Sequence, residues 1–128
     1  MKRIISIIAV AIVALGLSSC NSKIENPTER NFIGTWDLQS YEIVSPDGAV
    51  TSMAAKTLDY WVIKDGTVSM YEAGKLSKEA AFAVKDKAVY INGVYAYKIE
   101  ELTRKEMTLS QDGIGILVSS YKYHYKRR

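Results

Sequence analysis

Residues 60–100, YWVIKDGTVSMYEAGKLSKEAAFAVKDKAVYINGVYAYKIE, are short apolar, β-branched and aromatic runs cut repeatedly by turn residues. Asp65-Gly66, Gly74, Asp86-Lys87 and Asn92-Gly93 make the cuts. Asp-Gly and Asn-Gly supply the positive φ angles that tight hairpin turns demand, so this stretch predicts consecutive antiparallel strands. The punctuation continues on both sides, with Asp47-Gly48 before it and Thr103-Arg104 and Asp112-Gly113 after it. Strands are expected near 33–44, 49–53, 57–64, 67–73, 79–85, 88–92, 95–101, 106–110 and 115–126. The second is ambiguous: residues 51–56, TSMAAK, also read as a helical turn or a lid, because Met53-Ala54-Ala55 has little strand propensity.

Neighbours along a strand face opposite sides. Parity places Tyr60 and Val62, Val68 and Met70, Phe82 and Val84, Val89 and Ile91, Tyr97 and Ile99, and Met107 and Leu109 on one face. Lys64, Ser69, Lys85, Lys98, Glu100 and Thr108 lie between them. Trp36, Leu38, Tyr121 and Tyr123 join the inner set, while Trp61, Ile63, Tyr71, Tyr90 and Tyr95 fall on the outward parity. No amphipathic helix is present to cover a sheet, which favours a sandwich or a closed barrel. Closure also removes the exposed edges that invite aggregation.

The chain has 128 residues, 48% hydrophobic and 24% charged, with nine tyrosines. That is globular composition for one domain. Seventeen basic against 14 acidic residues give a net charge of +3, too weak and scattered to point to nucleic acid. One Cys and one His exclude a disulfide framework and a zinc cluster of the usual ligand types.

Met1-Lys2-Arg3 followed by the apolar run Ile4–Leu17 has secretory signal geometry, and the run is shorter than the roughly 20 residues of a membrane-spanning helix. Leu17-Ser18-Ser19-Cys20 resembles the bacterial lipobox, in which the Cys receives a diacylglycerol and becomes residue one. The resemblance implies a signal peptide over 1–19, a lipidated Cys20 with a flexible tether over 20–31, and a domain over 32–128. Two or more acyl chains would hold such a protein on a membrane without a spanning segment. Losing Lys2 and Arg3 leaves 15 basic against 14 acidic side chains. Asn21 after the Cys resembles the sorting signal for the outer membrane, so a bacterial envelope address at that membrane is expected. Ser22-Lys23-Ile24-Glu25 carries one acid where surface-export signals carry several.

Phe32-Ile33-Gly34-Thr35-Trp36-Asp37-Leu38 opens the first strand as lipocalin-like proteins do. The ordered series that follows, Lys64-Asp65-Gly66-Thr67, Phe82-Ala83-Val84, Ala88-Val89-Tyr90-Ile91, Tyr97–Thr103 and Met107-Thr108-Leu109, resembles the small lipocalin-like domain of Bacteroidota-type lipoproteins. The resemblance spans most of residues 32–126. It implies an all-β, up-and-down antiparallel β-barrel of about eight strands, with Trp36 at its closed end. Arg127 would stack on Trp36 as a cation-π cap, the alternative being a frayed C-terminus.

Catalytic constellations are lacking. His124 sits between Tyr123 and Tyr125 on the solvent side with Lys122 and Lys126. Glu100 and Glu101 are strand neighbours, expected to point oppositely and so unable to flank one bond. Gly113-Ile114-Gly115 lacks the rest of a dinucleotide fingerprint, and Asp47, Asp65, Asp86 and Asp112 stand singly at turns. The expected function is therefore non-enzymatic, with no cofactor and no metal. A small hydrophobic molecule would be bound by Trp36, Leu38, Tyr60, Val62, Met70, Phe82, Tyr97, Tyr121 and Tyr123, with tyrosine hydroxyls as polar points. The alternative is an interaction or scaffold protein, or an inhibitor of an envelope enzyme, presenting Trp61, Tyr71, Tyr90 and Tyr95 to a protein partner.

Overall fold

The structure, a computed structural model, describes residues 22–113 and 119–128. Among the described residues, nine strands follow a short 3₁₀ turn, Glu29–Phe32: β1 Gly34–Val44, β2 Val50–Ala54, β3 Tyr60–Lys64, β4 Thr67–Glu72, β5 Lys75–Lys85, β6 Ala88–Ile91, β7 Val94–Leu102, β8 Glu106–Asp112 and β9 Ser120–Arg127. Each strand from β3 onward pairs antiparallel with the next, and β9 returns to pair with β1. β2 and β3 share one edge of β1, β2 against Ser40–Val44 and β3 against Gly34–Asp37. They act as one interrupted strand, so the closed barrel has eight positions. The ambiguous segment around Met53 is strand, laid against Tyr41.

The hairpin chemistry read from the sequence is present in the backbone. Asp65-Gly66, Ala73-Gly74, Asp86-Lys87 and Asn92-Gly93 each place two successive residues at positive φ, the geometry of two-residue type I′ turns. Asn92 also accepts a bond from the Ala81 amide with its side-chain oxygen, at 2.9 Å.

One face differs from expectation. Trp36 lies opposite Trp61, and Gly34 opposite Ile63, so β3 turns Trp61 and Ile63 inward, 6% and 1% exposed. Tyr60 and Val62, expected inside, lie on the outer face, and Trp61 and Ile63, expected outside, are core. The cause is Lys64, which is in phase with Tyr60 and Val62; the face that carries its ammonium is the solvated one.

Four bulges reset parity elsewhere, at Leu38/Ser40, Met70/Tyr71, Val89/Tyr90 and Ile99/Glu101. The third lets Tyr95 face outward although it is two residues from the inward Tyr97. The fourth breaks the expected alternation of Glu100 and Glu101. Glu100 accepts a 2.5 Å bond from Ser110, Glu101 lies opposite Thr108, and both line one external cleft. They do not point oppositely, yet both remain on the surface.

The core is a single cluster with two unlike ends. At the first end Phe32, Trp36, Val68, Phe82, Leu102 and Met107 are almost completely buried. Phe32 plugs this end, its ring 5.5 Å from Phe82 and 6.5 Å from Trp36. Ile24 packs on the same cluster and donates its amide to the Leu102 carbonyl at 2.8 Å. Residues 24–31, within the expected tether, thus lie against the closed end, because Ile24 and the following Phe32 have apolar surface to bury there. Among the described residues, every strand and every buried core residue falls between Phe32 and Arg127.

Candidate functional site

At the closed end the Arg127 guanidinium lies 4.2 Å over the Trp36 ring. It donates to three main-chain carbonyls, those of Arg104 at 2.6 Å, Asn31 at 2.7 Å and Ile33. The cation-π cap is therefore present and the frayed terminus is not. Trp36 is itself fixed, its indole N–H donating to the Phe32 carbonyl at 2.8 Å. Gly34 makes room: a Cβ there would stand 2.6 Å from an Arg127 nitrogen, and its φ of +137° excludes other residues as well. Arg128 continues the clamp on the outer face, paired with Asp37 at 2.7 Å and over Tyr60 at 4.6 Å.

The residues expected to hold a ligand divide between the two ends and the outside. Trp36 and Phe82 are sealed in the closed end, 0% and 3% exposed, and contact the plug rather than a cavity. Tyr60 and Val62 are on the outer face. Leu38, Met70, Tyr97 and Tyr123 face inward but are only partly covered, and Tyr121 lies opposite Gln111 and Ile43 in the same layer. Trp61, absent from the expected set, belongs with them. Its ring is 5.4 Å from Tyr97 and 5.1 Å from Tyr125, and Tyr97 meets Tyr123 edge-on at 5.9 Å. Lys78, exposed and opposite Met70 in the β4–β5 ladder, stands beside this layer in phase with the inward Ala80 and Phe82. Its phase with Ala80 and Phe82 was the sequence signal for it; the exposed charge concealed it.

Burial sets the electrostatics of the layer. Loss of solvent, reinforced by Tyr123, pushes the Tyr97 phenol up to about 12. Tyr125 is pushed well above its usual range by burial, and Tyr123 is raised by burial and then by Tyr121. These phenols stay neutral at ordinary pH and offer O–H groups inside an aromatic wall. One is oriented by the protein: the Tyr123 hydroxyl donates to Gln111 Oε1 at 2.9 Å, and Gln111 donates to the Ala96 carbonyl at 3.4 Å. Such a layer can pack apolar carbon and bond one or two polar atoms.

The outward tyrosines pair with each other. Tyr71 stacks on Tyr60 at 4.5 Å, and Tyr90 meets Tyr95 edge-on at 5.9 Å. Only Tyr95 among them is substantially exposed, at 52%, beside Val94 at 67%. His124 is on the outer face as expected, but engaged: its ring nitrogens lie 3.1 Å from the Thr108 hydroxyl and 3.2 Å from Glu42. The Asp47 carboxylate accepts from the Ala49 amide, an ordinary turn contact. Cys20, Ile114 and Gly115 lie outside the described residues.

The clefts with defined walls are external. One of about 340 Å³ is lined by Ile24, Glu25, Pro27, Ile99, Glu100 and Glu101 among others. Two more, of about 550 and 360 Å³, meet at Arg104 and Arg127 on the closed end. Sequence reasoning missed these two, because their basic residues come from three separate segments of chain. No protein-family model, no curated protein and no solved structure matches this chain.

Proposed function

We propose that this protein is a lipid-anchored envelope lipoprotein of lipocalin-like type whose barrel binds a small hydrophobic molecule without catalysis. The observation that carries the reading is the inequality of the two ends. One is sealed by Phe32 and Trp36, while the inner side chains of Leu38, Met70, Tyr97 and Tyr123 remain partly uncovered. An eight-stranded barrel has room for one small ligand when its side chains do not fill it. The ligand the layer suits is an apolar chain with an acidic or hydroxyl head, the chain against Trp61, Met70 and Tyr97 and the head within reach of the Tyr123 hydroxyl or Lys78. The lipobox-like Leu17–Cys20 and the short apolar run before it support the anchor.

Gentle mass spectrometry of the isolated protein and displacement of a fluorescent fatty-acid probe test the ligand. A co-purifying small molecule, and probe binding weakened about tenfold or more by Met70→Asp, are expected, since a carboxylate there, even paired with Lys78, puts charge and its bound water where the apolar chain would lie. An empty spectrum together with no probe binding would favour the second reading, a partner surface around Tyr95 and Val94. Acylation is tested by mass: the mature chain should begin at Cys20 and carry acyl groups, and Cys20→Ala should release it from the membrane fraction.

A further inference from the structure

We propose that the closed end of the barrel is a membrane-facing surface whose cationic cleft binds the phosphate headgroups of acidic phospholipids. The cleft of about 550 Å³ is lined by Arg104, Lys105, Lys126, Arg127 and Arg128, basic residues throughout. Across Arg104 and Arg127 it continues into the cleft of about 360 Å³ lined by Ile24, Arg30 and Asn31. Neither wall contains an Asp or Glu.

The charges are largely unspent. Among the described residues only Arg128 of this set forms an ion pair, with Asp37. Arg127 donates to carbonyls alone, and neighbouring Arg104 adds to burial in disfavouring its charge. Lys126 stands opposite Asp37 on one side and Glu106 on the other, but Asp37 is held by Arg128 and Glu106 forms no ion pair. An anion arriving here meets donors and uncompensated charge. The region from residue 20 onward is nearly balanced as a whole, 15 basic against 14 acidic side chains with these included, so this accumulation is local and not a reflection of overall charge.

Position selects the occupant. Ile24, part of the cleft wall, is four residues from Cys20, which an extended chain spans in about 14 Å at most. With Cys20 acylated, the step that rests on the proposed function above, the cleft is held within one to two screening lengths of the bilayer, each about 8 Å at physiological salt. An acidic lipid surface strengthens attachment about fivefold for each basic residue brought near it. The barrel would then stand with its sealed end down and its partly uncovered layer pointing away from the membrane.

The test separates cleft from anchor. Residues 20–128 with Cys20→Ser carry the whole barrel without an acyl group; circular dichroism verifies the fold. Flotation is measured with vesicles of phosphatidylcholine alone and mixed with phosphatidylglycerol. Binding is expected only to the mixed vesicles and should fall as salt rises. Arg30→Gln/Arg104→Gln/Lys105→Gln should weaken it on the order of 100-fold, because these side chains are exposed and their loss leaves the barrel intact. Removing three charges elsewhere, as Lys56→Gln/Lys75→Gln/Lys122→Gln, should weaken it far less. Equal loss from both variants or equal binding to neutral vesicles would overturn the proposal, whereas release by inorganic phosphate beyond that by chloride at matched ionic strength would support a phosphate group seated in the cleft. An unmodified Cys20 in the native protein with flotation retained removes the anchor and keeps the cleft.

Discussion

Arg127 and Tyr97 both sit in surroundings that oppose what their chemistry prefers. Arg127 is a cation held by carbonyl oxygens and the Trp36 face, with no carboxylate beside it. Tyr97 is a phenol in an aromatic wall, and its surroundings make a pH prediction. In the unfolded chain it loses its proton near its ordinary value of 10.0; folded, it holds it to about 12. Between those values the folded state binds one proton more than the unfolded. The stabilisation is therefore complete below pH 10 and is lost as pH rises toward 12, by about 1.4 kcal/mol per pH unit for a group of this kind. Tyr125 adds to the slope in the same direction. Thermal melts between neutral pH and the alkaline limit should show the fall, Tyr97→Phe should flatten it, and phenolate absorbance should show a late-titrating class. Folded-state titration of every tyrosine near 10 would contradict the buried layer.

Turns and strands were the legible level. The dipeptides at 65–66, 86–87 and 92–93 mark hairpins because few residue pairs accept positive φ, and the strands between them follow. Two turns place an unsuited residue at positive φ, Ala73 at 51° and Lys87 at 61°. Such a φ costs a side chain with a Cβ about 1–2 kcal/mol. Lys87→Gly should recover about 0.5–1 kcal/mol after the greater freedom of glycine in the unfolded chain is subtracted, read as a higher midpoint in a urea melt. Gly93→Ala, at φ of 79°, should shift the midpoint the other way. What the sequence could not display was how ladders align. Bulges at Gln39, Ser77, Ala96 and Glu100 are set by how each ladder aligns, three of them between consecutive strands and one between β1 and the distant β9, and each shifts side chains between faces. The candidate layer was accordingly half legible. Leu38, Met70, Tyr97 and Tyr123 were placed correctly, Tyr60 and Val62 were not, and Trp61 was assigned to the wrong surface because Lys64 was not weighed with its own phase.

At the level of the molecule, closure depends on chain segments nearly a hundred residues apart. β9 bonds β8 on one side and β1 on the other, and its last residues reach past the sheet to the segment before β1. Arg127 bonds the Asn31 and Ile33 carbonyls, and the Arg128 amide bonds Thr35 at 2.8 Å. These contacts brace the β1–β9 seam, which without them is pinned only by its ladder. Deleting Arg127 and Arg128 should therefore cost about 3–5 kcal/mol, all of it from Arg127, whose charged hydrogen bonds and cation-π contact are lost and whose partner carbonyls are left without donors. Replacing Lys23 with Ala should cost less than about 1 kcal/mol, since it contributes one exposed ion pair with Glu101. Denaturant melts of the two variants decide between the terms. If the C-terminal deletion melts with the intact chain, the seam is stable without its clamp, and the packing of Phe32 and Trp36 is enough to hold the closed end.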